Sequence, residues 1–216
     1  MTTTKLGICC ATNMVSLAII RDKLIISEVV LMREKVDDLI VLMDQILIQA
    51  GVSSENIDEV VVVSGPGSYA GLRTSLTVAK TFALVREIPL KTVQTLELMA
   101  YQVRYFQGLI AVVMGSRRDE VNFGLFGGGS ALNPLIPCQP VRKNLLFSKL
   151  SSVQRDILIV GDLREIPSEL QKWYQSVVPK ASEAIALSET MSVKTQEEVI
   201  PFYAYPVNVT PGKAKR

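Results

Sequence analysis

The sequence predicts an α/β protein with a mostly parallel sheet, because strand patterns and helix patterns alternate along much of the chain. A run of helical spacing from Glu34 to Ala50 precedes the uninterrupted apolar strand Glu59–Val63. Further helix and strand patterns then follow as far as Val103. The chain opens differently, with three apolar, β-branched segments that predict a strand meander, at 6–11, 15–20 and 24–30.

A second strand hairpin is predicted midway along the chain, at 109–114 and 121–126. Two hairpins of this kind suggest duplicated lobes, so we expect an N-terminal lobe at 1–106 and a smaller C-terminal lobe with a basic tail at 107–216. The remaining expectations for this lobe are a loop at 134–140, a buried strand at 157–160, and helical segments at 167–174 and 182–187.

Composition limits the possible functions. The 216 residues carry a net charge of +2, which produces no strong field for drawing in nucleic acid. The sequence contains no histidine, so Ser-His and Cys-His nucleophile pairs and histidine-ligated zinc are excluded. Three cysteines without CxxC spacing, no secretory signal and no apolar run of about 18 residues predict a soluble, cytoplasmic protein without membrane association.

The most specific segment is the glycine-rich turn Ser64-Gly-Pro-Gly-Ser68, which joins a predicted strand to a predicted helix. An exposed helix N-terminus can bind phosphate, but the spacing matches neither a phosphate-binding loop nor a dinucleotide fingerprint. Pro66 also removes one of the backbone donors that such a site would use. The pattern therefore favours a tight turn capped by Ser68.

Small residues recur every four positions along the helix that follows this turn, at Gly67, Gly71, Ser75, Ala79 and Ala83. Such a ridge allows another helix to approach closely, either inside the same lobe or from another subunit. The preceding helix has more apolar surface than one core-facing stripe requires, which favours an intersubunit interface. The predicted partner-interface residues are Leu39, Met43, Ile46, Gly71, Leu72, Ser75, Leu76 and Ala79.

The segment Gly65–Arg73, followed by Ala79-Lys80, resembles the signature of the TsaB (YeaZ) family. Other similar segments extend over nearly the whole chain, at 6–19, 39–51, 117–121, 161–162 and 201–203. The resemblance implies the actin-like, sugar-kinase-like fold (ASKHA, RNase H-like), which has two lobes built on mixed sheets covered by helices.

Two departures from the family pattern bear on catalysis. Cys9-Cys10 stand where the first strand of the family ends in Asp-Thr, and Gly115 stands where an Asp precedes the second hairpin. In active members of this fold, carboxylates from the two hairpins help to hold a metal-bound nucleotide. We therefore expect no catalytic residues, no cofactor-binding residues and no metal ligands in this chain.

The resemblance implies a non-catalytic scaffold subunit for N6-threonylcarbamoyladenosine (t6A) modification of tRNA adenosine 37. Its partners would be a TsaD-like catalytic subunit, which it activates, and a TsaE-like ATPase, with tRNA contacted only indirectly. Short basic clusters at Arg117-Arg118 and in the tail at Lys213, Lys215 and Arg216 are more typical of solvated surface.

Two alternatives use the same sequence features. One is a small enzyme of the same fold, a phosphotransferase or a peptidase-like protein, which hairpin Asp residues would have favoured. The other is a self-associating module that forms a homodimer through the same two helices.

Overall fold

A computed structural model describes residues 2–32, 38–116, 119–195 and 197–203. Its strands form two five-stranded mixed sheets. The strands are β1 Thr4–Cys9, β2 Met14–Arg21, β3 Leu24–Met32, β4 Glu59–Gly65, β5 Leu90–Gln94, β6 Leu109–Gly115, β7 Glu120–Gly127, β8 Asn133–Arg142, β9 Ile157–Gly161 and β10 Tyr174–Gln175. The helices are α1 Leu39–Ala50, α2 Tyr69–Arg86, α3 Thr95–Gln102, α4 Lys143–Ser151 and α5 Ala181–Ser188.

The first sheet has the order β3-β2-β1-β4-β5. Its first three strands are antiparallel, whereas β4 pairs in parallel with both β1 and β5. Every residue of β4 is buried, which confirms the central strand expected from its uninterrupted apolar run. Buried residues of α1, α2 and α5 join this sheet in one apolar core.

The second sheet repeats this topology, because its order β10-β9-β6-β7-β8 is the same when read from the other edge. The fourth strand of each sheet also ends in a glycine with positive φ, Gly65 at 117° and Gly161 at 122°. A side chain at Gly161 would place its Cβ only 2.0 Å from the carbonyl oxygen of Val113. The close approach of the end of β9 to β6 therefore requires glycine at this position. The lobes thus share topology, as expected for a duplication.

Helix α5 lies within the predicted C-terminal segment 107–216 but packs against the first sheet. Ala181, Ala184 and Ile185 are buried in the core of that sheet. Two side chains of the first lobe accept hydrogen bonds from the start of α5: Ser16 Oγ from the Ala181 N–H at 2.9 Å, and Glu28 Oε1 from the Ser182 N–H at 3.0 Å. The chain therefore returns to its first lobe near its end.

Removing the Ser16 hydroxyl tests the attachment of α5 to the first lobe. Ser16 is fully buried, so Ser16→Ala leaves the Ala181 N–H without its acceptor in the core. We expect a loss of about 1 to 3 kcal/mol in the free energy of unfolding, measured by urea denaturation. Ser27→Ala, at a half-buried site on β3, is the control and should change stability by less than about 0.5 kcal/mol. Equal effects of the two substitutions would contradict a specific role for Ser16.

One expectation about the second lobe is wrong. The segment 134–140 is not a loop but part of β8, an edge strand paired with β7 alone. Its prolines are compatible with this position because an edge strand has one side without ladder hydrogen bonds. The expected helical segment near 167–174 is confirmed as the 3-10 helix Ser168–Trp173, and the short strand β10 follows it. The buried strand at 157–160 and the helix at 182–187 are confirmed as β9 and α5.

Helix α3 joins the two lobes. Leu96 and Met99 pack with buried residues of the second sheet, and the Gln102 side chain binds the crossing segment that leads to α5. Its Nε2 donates to the Val178 carbonyl at 2.8 Å, and its Oε1 accepts from the Lys180 N–H at 3.1 Å. None of the helices in the described part of the chain combines the length and the apolar character that a bilayer crossing requires.

Candidate functional site

A cleft of about 750 Å³ lies between the lobes. One wall consists of the β1–β2 turn and the start of α2, and the opposite wall consists of the end of β6 and the segment after β9. The residues that line the cleft are Ala11, Thr12, Asn13, Met14, Gly67, Ser68, Met99, Met114, Gly115, Ser116, Gly161, Asp162, Leu163, Arg164, Glu165, Tyr174, Val177, Val178 and Pro179.

The N-terminus of α2 is occupied by the protein's own backbone. The Ser68 N–H donates to the Ala11 carbonyl at 2.8 Å, and the Ser68 hydroxyl accepts from the Gly71 N–H at 3.2 Å. A Cβ atom at Gly67 would lie 2.0 Å from the Ala11 carbonyl oxygen. The β1–β2 turn therefore approaches where a phosphate would have to bind, and the predicted capping role of Ser68 is confirmed.

A C-terminal strap, which we define as residues 197–203, covers the other side of the same turn. The Phe202 N–H donates to the Ser64 carbonyl at 2.8 Å. The Phe202 carbonyl oxygen would lie 2.6 Å from a Cβ atom at Gly65. Nearer the start of the strap, Lys80 Nζ donates to the Val199 carbonyl at 3.2 Å. The glycines of the turn thus allow close backbone packing on both of its sides.

The second wall of the cleft carries two carboxylates beside Gly115. A Cβ atom at Gly115 would lie 3.2 Å from Glu165 Oε1 and 3.5 Å from Asp162 Oδ2. Each carboxylate already has a cationic partner: Asp162 accepts from Arg164 Nε at 3.0 Å and from Nη2 at 2.8 Å, and Glu165 is paired with Lys143. The carboxylates are therefore engaged by neighbouring cations of the same lobe.

Hydrogen bonds from the Arg164 side chain hold the pKa of Asp162 below its ordinary value, although partial burial opposes this effect. Because the folded-state pKa is lower than the unfolded-state pKa, the interaction stabilises the protein above the unfolded value of about 3.9. That stability is lost as the pH falls through the folded-state pKa.

Asp162→Asn should therefore lower the melting temperature at pH 7, with a difference from the parent that shrinks below about pH 4. Thermal melts across this pH range measure the effect. The control is Asp44→Asn, on the exposed side of α1, which should change the melting temperature little. A difference that stays constant down to pH 2.5 would show that the ionised carboxylate is not responsible.

The thiols at the end of the first strand are buried. Burial raises the pKa of Cys9 to about 11 and also raises the pKa of Cys10, so both remain protonated near neutral pH. A protonated thiol is a poor nucleophile and a poor metal ligand. Within the described residues, no group of three or more Asp, Glu, Cys or His side chains is placed to hold a metal ion.

The eight predicted interface residues lie in the core of the first lobe, so the assignment of these side chains to a surface is wrong. Leu39, Met43 and Ile46 of α1 are buried, as are Gly71, Leu72, Ser75, Leu76 and Ala79 of α2. The spacing of these side chains marks the faces that cover the first sheet. The Ser75 hydroxyl is also satisfied internally, because it donates to the Leu72 carbonyl at 3.2 Å.

The opposite faces of the same helices are exposed and partly apolar. On α1, Ile40 is 69% and Ile48 is 71% exposed, and on α2, Leu84 is 63% and Val85 is 73% exposed. Arg73 and Thr77 continue the exposed side of α2 toward its N-terminus. Sequence spacing contained a signal for this surface, because these residues fall outside the buried stripe. Arg117-Arg118 and the basic tail lie outside the described residues.

Several known proteins are similar to this chain. A family model for TsaD, tRNA N6-adenosine threonylcarbamoyltransferase, matches residues 29–129. The tRNA threonylcarbamoyladenosine biosynthesis protein TsaB of Bacillus subtilis is 34% identical over 111 residues, which cover 51% of this chain and 48% of that protein. TsaB of Buchnera aphidicola is 24% identical over 127 residues, 55% of this chain and 58% of that protein. The chain thus spans about half the length of the curated relatives it matches.

Two solved structures from Pseudomonas aeruginosa share the fold over nearly the whole chain. One is an uncharacterized protein with similarity to peptidase YEAZ, with a TM-score of 0.77 and 18% identity over 94% of this chain and 100% of the other. The second is YeaZ, with a TM-score of 0.73 and 15% identity over 93% and 99% of the two chains.

The two mixed sheets, the cleft between them and the covering helices form a two-lobed α/β fold, as expected, and the two Pseudomonas aeruginosa proteins share this fold. The sequence matches show that this chain is similar to TsaB proteins over about half of its length, in line with the predicted resemblance.

Proposed function

We propose that this protein is a non-catalytic subunit required for t6A modification of tRNA adenosine 37. In this role it binds a TsaD-like catalytic subunit and keeps that subunit active, and a TsaE-like ATPase joins the complex. The observation that carries the proposal is the sequence relationship to TsaB proteins, which are named for tRNA threonylcarbamoyladenosine biosynthesis.

The chemistry of the cleft supports a role without catalysis. Backbone carbonyls of the β1–β2 turn approach the start of α2, and the two carboxylates beside Gly115 are paired with cations. A phosphate group entering the cleft would have to displace the contact between Ala11 and Ser68, which is made by backbone atoms. Closely packed backbone atoms are harder to displace than exposed side chains, because the surrounding structure must move with them.

The exposed faces of α1 and α2 are the proposed docking surface. The region that resembles TsaD, residues 29–129, includes both helices, so a TsaD-like subunit is expected to present a related helix pair. Related surfaces can pair about an approximate two-fold axis, as identical surfaces do in isologous dimers. A homodimer would use the same surface and would compete with the heterodimer. This arrangement assigns tRNA binding to the complex, with at most indirect contact by this chain.

Reconstitution of tRNA modification tests the proposal. The TsaD-like and TsaE-like subunits, the threonylcarbamoyl donor, ATP and substrate tRNA are combined with and without this protein, and t6A is measured by mass spectrometry of digested tRNA. We expect modification only when the protein is present. The protein alone should hydrolyse ATP no faster than buffer. Full modification without the protein would contradict a required subunit, and ATP turnover by the protein alone would favour the enzyme alternative.

A further inference from the structure

A cationic group is held in a defined orientation at the N-terminal end of the exposed face of α2. Arg73 Nη1 donates to Tyr69 Oη at 2.9 Å, and the guanidinium carbon lies 5.3 Å from the centroid of the Tyr69 ring. The strap supports this ring from another direction, because Tyr203 stacks on Tyr69 with centroids 5.5 Å apart. We call Tyr69, Arg73 and Tyr203 the Tyr69 corner. Two contacts to one supported ring limit the freedom of the guanidinium.

No carboxylate of the described residues forms an ion pair with Arg73. Its side chain borders a shallow surface depression of about 470 Å³, and it is the one charged residue among the described residues that line it. The depression is lined by Tyr69, Ala70, Arg73, Thr74, Thr77 and Val78. An exposed guanidinium that is oriented but lacks an anionic partner is suited to receiving a planar anion from another molecule.

We propose that Arg73 binds a carboxylate side chain of the TsaD-like subunit and that the Tyr69 corner forms one end of the docking surface. This inference rests on the proposed function. A carboxylate fits better than the phosphates of tRNA, because nucleic-acid binding depends on several cations acting together and the depression provides one. The small and uncharged neighbours of Arg73 are also suited to packing against another helix.

The size of the helix pair also favours an interface that extends to this corner. α1 has 12 residues and α2 has 18, so they are about 18 and 27 Å long at about 1.5 Å per residue. At a width of about 10 Å each, their outward faces project roughly 450 Å². A standard interface buries about 800 Å² per partner, so the whole length of α2, including Arg73 near its start, is expected to contribute. The Tyr69 corner is continuous with that surface along α2.

Charge reversal tests the inference. The dissociation constant of the purified protein for the TsaD-like subunit is measured by calorimetry for the parent, Arg73→Glu, Tyr69→Phe and the control Lys149→Glu, an exposed position on α4. We expect at least tenfold weaker binding for Arg73→Glu and a few-fold weaker binding for Tyr69→Phe, which keeps the ring but loses the acceptor of the Arg73 hydrogen bond. Lys149→Glu should bind within twofold of the parent, and all melting temperatures should be nearly unchanged.

The possible outcomes separate this inference from the proposed function. If the parent binds the TsaD-like subunit and Arg73→Glu binds within twofold, the role of Arg73 is wrong while the proposed function stands. If Arg73→Glu retains subunit binding but loses tRNA binding by the assembled complex, Arg73 contacts phosphate and the inference is overturned. If the parent does not bind the TsaD-like subunit, both proposals fail.

Discussion

Ser75→Trp is expected to unfold the N-terminal lobe, whereas Thr77→Trp, two residues farther along α2, is expected to fold normally and to lose binding of the TsaD-like subunit. Ser75 is 0% exposed, so an indole ring has no room there. Adding a few methylene groups to a packed core typically costs about 1 to 3 kcal/mol. An indole ring adds much more volume than a few methylene groups do, so its cost is larger. The loss is therefore comparable with the total stability of a domain, about 5 to 15 kcal/mol.

Thr77 is exposed on the opposite side of the same helix. A tryptophan there leaves the core untouched but holds an approaching helix away from α2, which forfeits contacts on both sides of the substitution. Melting followed by circular dichroism and co-elution with the TsaD-like subunit on a sizing column distinguish the two variants. A Ser75→Trp protein that melts near the parent temperature would contradict the buried position. A Thr77→Trp protein that co-elutes like the parent would contradict docking through this face.

Gly71→Ala is expected to destabilise the protein strongly, although the same change in most helices is favourable. Glycine costs about 1 kcal/mol relative to alanine inside a helix, so helix propensity alone predicts a gain. However, a Cβ atom at Gly71 would lie 2.1 Å from the Cys10 carbonyl oxygen, a backbone atom directly after β1. Relief requires this segment and the helix to separate, which disturbs the buried core of the first lobe.

We expect Gly71→Ala to lower the free energy of unfolding by at least about 3 kcal/mol, beyond the typical effect of a single substitution. Urea denaturation provides the measurement. Gly127→Ala is the matched control, because a Cβ atom there would meet its nearest neighbour at 3.7 Å, an ordinary contact distance. A stabilised Gly71→Ala protein would show that β1 and α2 are not in close contact.

Features of the fold that depend only on residues close in sequence could be predicted from the sequence. The uninterrupted apolar run of β4 indicated a strand covered on both faces, and Ser68 stood where a helix cap was needed. The edge strand β8 was missed because its prolines resemble loop residues when the pairing of the strand is unknown. Whether a strand lies at the edge or in the interior of its sheet decides whether it tolerates proline. This depends on distant parts of the chain, so the strand's own residues do not reveal it.

The candidate site was harder to predict, for two physical reasons. Helical spacing identifies a stripe of similar side chains but does not say whether the stripe faces a sheet or solvent, so buried Ser75 and Ala79 were assigned to a surface. The pairing of Lys143 with Glu165 joins residues from separate elements, and it arises only when the second lobe folds. The sequence likewise shows that residue 73 is basic but does not reveal how its side chain is oriented. That orientation depends on Tyr69, and Tyr69 is supported by the distant Tyr203, which stacks on it.

The two lobes share a strand order but differ in the segment that follows their fourth strands. In the first lobe this segment is the 18-residue helix α2, whereas in the second it consists of the short 3-10 helices Leu163–Glu165 and Ser168–Trp173. Among the described residues, only the first lobe therefore offers a long helix pair with an exposed apolar face. A molecule with two such faces could add subunits at both ends and grow without limit, whereas a molecule with one can only complete a pair. Under the proposed docking, the shortened segment leaves one such face on the chain and therefore predicts a closed pair.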